Sequence, residues 1–186
     1  MITDKVIVGV AGMPGSGKGV FQKTIQRLGY PVVTMGDTVR EEVQRRNLEP
    51  TPENLGKTML DLRETDGPAA IAKRCVPKLE NLTAPVVVID GIRSLVEVDE
   101  FKKHFSNFVL LAIHASPQTR YKRLVRRQRS DDPTDFEAFM ERDKRELGIG
   151  MGSVIAIADY MIINEGTKAH LNHKTLTFIG KVLKDD

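Results

Sequence analysis

The sequence is poor in cysteine and aromatic residues and has no long apolar run. Its single cysteine, Cys75, can form neither an intrachain disulfide nor a cysteine-rich zinc cluster, so we expect a reducing, cytoplasmic setting. The first six residues lack the apolar core of a signal peptide, and no apolar stretch approaches the roughly 18 residues of a membrane helix. These absences predict a protein without a membrane partner.

The chain has little net charge, but that charge is unevenly distributed. Lys and Arg number 28 against 25 Asp and Glu, and the formal net charge of +3 is too small to predict a nucleic-acid partner. Residues 116–130 nevertheless contain no acidic residue and six basic ones, which we call the arginine block: Arg120, Lys122, Arg123, Arg126, Arg127 and Arg129. The rest of the chain has 22 basic residues against 25 acidic ones. The pattern predicts one focused cationic surface.

Short apolar runs alternate with helical stretches along the whole chain. We expect strands near residues 6–10, 31–34, 85–89, 108–113 and 160–163. The intervening segments carry helix signals, including Asp37 as a cap, Thr51-Pro52-Glu53 as a start, and Ser94 with Glu97 as a capping box. A further helix is predicted over 134–147 and a last one over 171–183. The alternation predicts one α/β domain over residues 1–186, with a three-layer fold around a central parallel sheet of about five strands.

A glycine-rich loop separates the first predicted strand from the first predicted helix. Its sequence is Gly12-Met13-Pro14-Gly15-Ser16-Gly17-Lys18-Gly19. Glycines let backbone N–H groups turn inward around a phosphate, and the following helix N-terminus adds partial positive charge. The lysine can then reach the outer phosphates of a nucleotide. Spacing and context together favour a phosphate-binding loop (P-loop) over a glycine-rich turn with an incidental lysine.

This loop lacks the hydroxyl that P-loops place after the lysine to contact Mg²⁺. Gly19 occupies that position and Val20 follows it. We therefore expect no direct protein ligand to the metal. Mg²⁺ would be held largely by phosphate oxygens and water, with a carboxylate behind the water.

Several segments resemble the nucleoside-monophosphate kinases, the group that includes adenylate kinases. The Gly-Lys-Gly form of the loop is similar to theirs, although they usually carry Thr where Val20 stands. The run Thr34-Met35-Gly36-Asp37-Thr38-Val39-Arg40 resembles their Thr-Gly-Asp-x-x-Arg segment, whose arginine holds the acceptor's phosphate. Asp90-Gly91-Ile92-Arg93 resembles their Asp-Gly-(Phe/Tyr)-Pro-Arg, in which the aspartate lies near the metal waters and the arginine contacts the acceptor.

The second half of the chain extends the resemblance. Arg123-Leu124-Val125-Arg126-Arg127 is similar to the family's Arg-x-x-x-Arg at the start of a lid, and Arg129-Ser130-Asp131-Asp132 resembles the short lid itself. Arg142 lies near the position of a further family arginine. The run 159–167, with Asn164, is similar to the end of dephospho-coenzyme A kinases that borders the ATP adenine. Overall the chain most resembles an archaeal adenylate-kinase-related, dephospho-coenzyme A kinase-like family.

The resemblance implies a P-loop kinase that uses ATP and Mg²⁺. It implies a helical acceptor-binding insert at about 37–81 and a short lid at about 127–142. The implied catalytic residues are Lys18, Asp90 (through metal-bound water), Arg123, Arg127 and Arg129. The implied cofactor-binding residues are Gly12, Met13, Pro14, Gly15, Ser16, Gly17, Lys18, Gly19, Val20 and Asn164. The implied acceptor-binding residues are Gly36, Asp37, Arg40, Arg93 and Arg142.

The acceptor is less well specified by the sequence than its phosphate. Adenylate kinases have a glutamine that reads the AMP base where this chain has Val98, and Met35 replaces their Thr before Gly-Asp. We therefore expect phosphoryl transfer to AMP or a related monophosphate, with dephospho-coenzyme A-type transfer to a ribose hydroxyl as the alternative. The partners predicted are small-molecule nucleotides, with the protein a monomer or a homodimer.

Other interpretations of the same residues stay open. Arg40 could lie on a solvated helix face, Arg93 could cap a helix or pair with Glu97, and Arg142 could serve in a surface ion pair. Arg120, Arg123 and Arg127 could form a plain solvated face of one helix. A different class of function is a P-loop ATPase or nucleotide sensor that binds nucleic acid or protein through the arginine block. The block has only Tyr121 for stacking on bases, which weakens that interpretation.

Overall fold

The computed structural model describes residues 5–129 and 132–184. Within these residues five parallel strands form one sheet in the order β2-β3-β1-β4-β5. The strands are β1 (Val6–Ala11), β2 (Val32–Thr34), β3 (Val86–Asp90), β4 (Phe108–His114) and β5 (Tyr160–Ile163). β1 lies in the middle, paired with β3 from Val6↔Val86 onward and with β4 from Ile7↔Phe108 onward. Its C-terminal end is therefore the crevice in which such sheets bind ligands.

Helices connect the strands and cover both faces of the sheet. In the described part of the chain they are α1 (Lys18–Arg27), α2 (Met35–Arg45), α3 (Pro52–Asp66), α4 (Ala70–Glu80), α5 (Leu95–His104), α6 (Pro117–Arg127), α7 (Phe136–Ile149), α8 (Met151–Ala156) and α9 (Lys168–Val182). None of them is long and apolar enough to cross a membrane.

Alternating side chains of the sheet enter two separate apolar cores. Ile7, Val87 and Ile89 point into a core closed by α2, α3, α4, α5 and α8. Val8 and Val88 point to the opposite face, where α1 and α9 close the second core. Because both faces are buried, the central strands consist of nearly continuous apolar residues. The three-layer α/β fold with five parallel strands is therefore confirmed.

Details of the helix ends differ from the sequence-based expectations. α2 begins at Met35 after Thr34, so Asp37 lies inside its first turn and does not cap it. α7 runs over Phe136–Ile149, two residues later than predicted, because Asp135 accepts a hydrogen bond from the Ala138 N–H and caps it. α8 was not predicted. It is a six-residue helix separated from α7 only by Gly150 in a left-handed conformation.

Candidate active site

The glycine-rich loop follows β1 and ends at α1, as predicted. A side chain at Gly12 would overlap the Ile113 carbonyl oxygen of β4, and one at Gly17 would overlap the Asn164 amide. Gly15 has φ +82°, which other residues rarely adopt. The loop is closed by a hydrogen bond from Ser16 N–H to Met13 O of 3.1 Å, and Pro14 lies between them. Only glycine at these positions permits this backbone conformation. The loop conformation in turn points the N-terminus of α1 toward the centre of the loop.

Lys18 begins α1 and turns back over the loop. Its Nζ donates to Gly12 O at 2.5 Å. Burial lowers the pKa of Lys18, whereas the nearby charge of Asp90 raises it. The charges of Arg93, Glu146 and Arg142 also act on this pKa. The structure therefore gathers four of the predicted site residues, Lys18, Asp90, Arg93 and Arg142, around one point.

The two residues after Lys18 confirm that this part of the loop carries no hydroxyl. Gly19 is exposed, and a Cβ built on it would meet no atom within 4 Å. Val20 packs instead against the second core, beside α9. In the described residues no group of three or more His, Cys, Asp or Glu side chains could hold a metal ion. A cation here would depend on the ligand's own phosphates and on Asp90.

Asp90 ends β3 next to the loop and is held in one orientation. Gln22 Nε2 donates to its Oδ2 at 2.5 Å. Its other oxygen, Oδ1, is buried without a hydrogen-bond partner. Burial raises the pKa of Asp90, and the charge of Lys18 opposes that rise. The carboxylate therefore offers one oxygen that is already desolvated.

In the described residues three buried side-chain polar atoms have no hydrogen-bond partner, one in the loop itself and two on residues that adjoin Lys18 and Asn164. They are Ser16 Oγ, Asp90 Oδ1 and Arg123 Nη1. Buried polar atoms are rarely left unpaired in proteins, so a group of them indicates a ligand site. A loop of N–H groups, a lysine and a guanidinium suit phosphate, and a carboxylate suits a hydrated cation. The residues present thus fit a nucleoside triphosphate with Mg²⁺.

Arg123 and Asn164 connect the arginine block to the loop. Arg123 Nη2 donates to Gly166 O at 3.1 Å, and Asn164 Oδ1 lies 3.5 Å away. Asn164 is buried, and its Nδ2 donates to Ser16 O at 2.7 Å. Burial lowers the pKa of Arg123. Asn164 was predicted to border a cofactor, and in this structure its amide supports the loop backbone.

The lid arginines meet at Asp132. Arg127 forms a two-pronged ion pair with this carboxylate, and Arg142 Nη1 lies 3.7 Å from it. Arg129 is exposed, and its backbone N–H donates to Asp132 Oδ2 at 2.9 Å. These contacts hold the pKa of Asp132 below its ordinary value, chiefly through the hydrogen bond from Arg127. Ser130 and Asp131 of the predicted lid segment lie outside the described residues.

Gly36, Asp37 and Arg40 follow the C-terminal end of β2 and Arg93 follows that of β3, whereas the fifth predicted acceptor residue, Arg142, lies on α7 beside Asp132. Arg40 Nη1 pairs with Asp37 Oδ1 at 2.5 Å, and both side chains are more than half exposed. Gly36 lies beside this pair, since a Cβ there would be 3.5 Å from Arg40 Nη1. Arg93 Nη1 lies 3.7 Å from Glu146 Oε1. Each acceptor-side arginine therefore has a carboxylate partner.

Arg120 does not lie on the cationic surface that was predicted for the arginine block. Its guanidinium is only 4% exposed and forms a two-pronged ion pair with Asp143 of α7, at 2.7 and 2.5 Å. The same group donates to Ala115 O at 3.1 Å and to Pro14 O of the loop at 3.3 Å. Arg120 therefore ties α6 and α7 to the loop from behind. The three-residue spacing between Arg120 and Arg123 does not reveal which of the two arginines is buried between α6 and α7.

Sequence reasoning missed three residues of the site, Gln22, Asp143 and Glu146. Gln22 follows Lys18 by four residues, so helical spacing could have placed it on the same face of α1. Asp143 and Glu146 stand among other charged residues of α7, and no signal separates them from a solvated surface. Val98, at the position of the adenine-reading glutamine, is fully buried in the first core.

Several solved structures share the architecture of this chain. The crystal structure of TT1252 from Thermus thermophilus has a TM-score of 0.68 at 18% identity, covering 97% of each chain. Shikimate kinase from Acinetobacter baumannii has a TM-score of 0.58 at 14% identity, covering 96% of this chain and 95% of that one. A gluconokinase from Sinorhizobium meliloti has a TM-score of 0.57 at 15% identity, covering 98% and 95%. These likenesses establish the fold, and they confirm the resemblance to P-loop kinases.

Sequence comparison places the chain more narrowly. A family model described as an AAA domain matches residues 11–139. A UPF0200 protein of Pyrococcus furiosus is 51% identical over 164 residues, covering 86% of this chain and 88% of the relative. Another from Pyrococcus abyssi is 47% identical over 182 residues, covering 96% and 97%. The chain therefore belongs to the UPF0200 family and carries the AAA domain.

Proposed function

We propose that this protein transfers the γ-phosphoryl group of ATP to a nucleotide-like monophosphate, AMP or a relative. An oxygen of the acceptor phosphate attacks the γ-phosphorus, and the bond to the β–γ bridging oxygen breaks as ADP leaves. An acceptor phosphate is already anionic, so the step needs no general base beyond correct positioning. Charge neutralisation and alignment are then the protein's main tasks.

The observation that carries this proposal is the convergence of unpartnered buried atoms at the loop. Ser16 Oγ belongs to the P-loop, Asp90 acts electrostatically on Lys18, and Arg123 lies beside Asn164, whose amide binds the loop backbone. Burying such groups without partners costs free energy, which a bound phosphate and its hydrated cation would recover. A glycine-rich turn without a ligand would not explain why these unpartnered polar atoms lie together.

Each residue then has a role in the transfer. Lys18 and the loop amides would bind the β- and γ-phosphates, and Arg123 would contact the donor from the side of α6. Asp90 would orient waters of a bound Mg²⁺, which would supply charge neutralisation. Arg40 and Arg93 would hold the acceptor phosphate. Arg127, Arg129 and Arg142 would close from the lid, with Asp132 as their common anchor.

A hydroxyl acceptor is the second candidate, and the state of Asp90 favours it. Transfer to a hydroxyl requires a base for the departing proton. Asp90 has a buried, unpartnered oxygen and a pKa raised by burial, both of which suit that task. The proton would move from the acceptor hydroxyl to Asp90 Oδ1 as the new P–O bond forms.

A panel of acceptors tests the two candidates. Purified protein is incubated with ATP, Mg²⁺ and either nucleoside monophosphates or dephospho-coenzyme A, and both ADP and the phosphorylated product are quantified. Product from a monophosphate supports the first candidate, and product from dephospho-coenzyme A alone supports the second. ATP binding with no transfer to any acceptor would contradict both and favour a nucleotide sensor.

Substitution of the loop lysine gives the first prediction. We expect Lys18→Ala to reduce transfer by about 100-fold or more, because the charge that stabilises the transferring group is lost. Steady-state rates against the panel's acceptor provide the measurement. Lys23→Ala, an exposed lysine on the same helix, is the matched control. Full activity in Lys18→Ala would contradict the mechanism.

A further inference from the structure

We propose that Gln22 is a positioning residue that fixes Asp90 for work on the hydrated cation. This inference rests on the proposed function and deepens it. Gln22 has no place among the motif residues of the loop, yet its amide makes the side-chain hydrogen bond that holds Asp90 Oδ2. Through Asp90, it would decide how well the site binds Mg²⁺ together with a nucleotide.

The residue that would bind phosphate, Lys18, and the residue that positions Asp90, Gln22, lie one turn apart on α1. Lys18 and Gln22 are four residues apart, so their side chains lie on the same face of the helix. Lys18 Nζ reaches back to Gly12 O, and Gln22 Nε2 reaches across to β3 at 2.5 Å from Asp90 Oδ2. Oδ2 is thereby occupied, and Oδ1 remains buried and unpaired beside the loop.

A neutral partner suits this role better than a charged one. Lys18 and Arg93 both act electrostatically on Asp90, and either could attract the carboxylate into a direct ion pair. Such a pair would turn the carboxylate away from the cation and satisfy the oxygen that now has no partner. The amide of Gln22 competes for one oxygen without neutralising the charge of the other.

The missing hydroxyl makes the orientation of Asp90 more important. P-loops usually offer the cation a Ser or Thr hydroxyl after the lysine, and this chain has Gly19 and Val20 there. The absence of Ser or Thr at position 19 is not due to a lack of space, because a Cβ at Gly19 would meet no atom within 4 Å. Asp90 is therefore the main protein group left for the hydrated cation, and Gln22 holds it.

The test compares Gln22→Ala with Gln26→Ala, an exposed glutamine one turn further along α1. The melting temperature is recorded with ATP over a series of Mg²⁺ concentrations and again with ATP in EDTA. Mn²⁺ binding to the ATP complex is measured by electron paramagnetic resonance. Outer-sphere partners of metal sites typically contribute 10–100-fold to affinity, so we expect Gln22→Ala to raise the half-saturating Mg²⁺ and Mn²⁺ concentrations about 10-fold. Stabilisation by ATP in EDTA should stay as in the wild type, and Gln26→Ala should change neither quantity.

A purely structural role for Gln22 would give a different result. Gln22→Ala would then lower the melting temperature equally with and without the cation, and the half-saturating Mg²⁺ and Mn²⁺ concentrations would stay unchanged. That result would overturn the inference. If Gln22→Ala does not fold, Gln22→Met keeps the approximate length of the side chain and removes the amide, and the same outcomes apply. A wild type that ATP does not stabilise contradicts the proposed function itself. A loss of Mg²⁺ dependence in Asp90→Asn but not in the Gln22 variants contradicts only the role of Gln22.

Discussion

Around the phosphate loop the charged groups are held by neutral partners, whereas on the acceptor and lid side the arginines are paired with carboxylates. Lys18 binds a backbone carbonyl, Asp90 binds the amide of Gln22, and Arg123 binds the carbonyl of Gly166. Arg40 and Arg93, by contrast, face Asp37 and Glu146. A neutral partner fixes a side chain and leaves its charge available to a ligand. A carboxylate partner must instead be displaced by, or share the arginine with, an anionic ligand.

In the proposed mechanism this difference predicts two modes of binding. On the proposed donor side a triphosphate would meet groups that are already oriented and desolvated. On the proposed acceptor side, the phosphate would have to displace the carboxylate that each arginine already binds. This displacement would lower the affinity for the acceptor and make its binding easier to reverse. Single substitutions can test that contrast.

Breaking the buried support behind the loop should have the largest effect on stability. Arg120 and Asp143 are 4% and 7% exposed, so Asp143→Asn leaves a guanidinium buried without its counter-charge. We expect a loss of about 3–5 kcal/mol in the free energy of unfolding, measured by urea denaturation. Glu141→Gln, an exposed carboxylate on the same helix, is the control. Equal stability of the two variants would show that the loop does not depend on this pair.

Removing an exposed arginine on the acceptor side should affect binding and spare stability. We expect Arg40→Ala to raise the KM for the acceptor by about 10-fold, the size of one hydrogen bond to a charged group, with the KM for ATP unchanged. Steady-state kinetics with the panel's acceptor measures both constants. Arg27→Ala removes an exposed arginine at the far end of α1 as a control. A rise in the KM for ATP instead would place Arg40 on the donor side.

The smallest effect concerns the ion cluster at the end of α2. Hydrogen bonds from Arg45 and Arg46 lower the pKa of Glu42 from 4.5 to about 2. A lowered pKa in the folded state contributes stability above pH 4.5, and this contribution is lost as the pH falls toward 2. Because Arg45 is largely exposed, we expect Glu42→Gln to cost on the order of 1 kcal/mol at neutral pH. The difference from wild type in thermal unfolding should shrink below pH 4, whereas exposed Glu49→Gln should show no such trend.

The parts of the molecule that were predictable follow local rules. The strands, the glycine-rich loop and the starts of α3 and α5 depend on apolar runs, on backbone freedom and on capping residues within a few positions. Glu97 accepts from the Arg93 and Ser94 N–H groups at 2.8 and 3.3 Å, which agrees with the predicted capping box. Long-range pairing was not predictable in this way. Arg120 and Asp143 are 23 residues apart, and only packing of α6 on α7 decides that both are buried.

The same limit applies to the candidate site. Gly12, Gly36 and Asp90 could be found because each lies at or just after the end of a strand, and parallel strands end at one edge of the sheet. Their partners could not be found, because Gln22 and Asp90 are 68 residues apart and a glutamine on a helix carries no motif. Alignment of helices against strands is a property of the folded core, to which every apolar side chain contributes.

The position of β1 in the middle of the sheet has a consequence for how the chain is made. β1 precedes the other described strands in the chain, yet its partners are β3 at 86–90 and β4 at 108–114. β1 is apolar and fully buried in the folded protein, so neither of its edges can pair until β3 or β4 has been synthesised. Such non-local pairing slows folding and exposes a segment prone to aggregation. During synthesis, early protection of residues 6–11 would then matter more for the yield of this protein than its final stability.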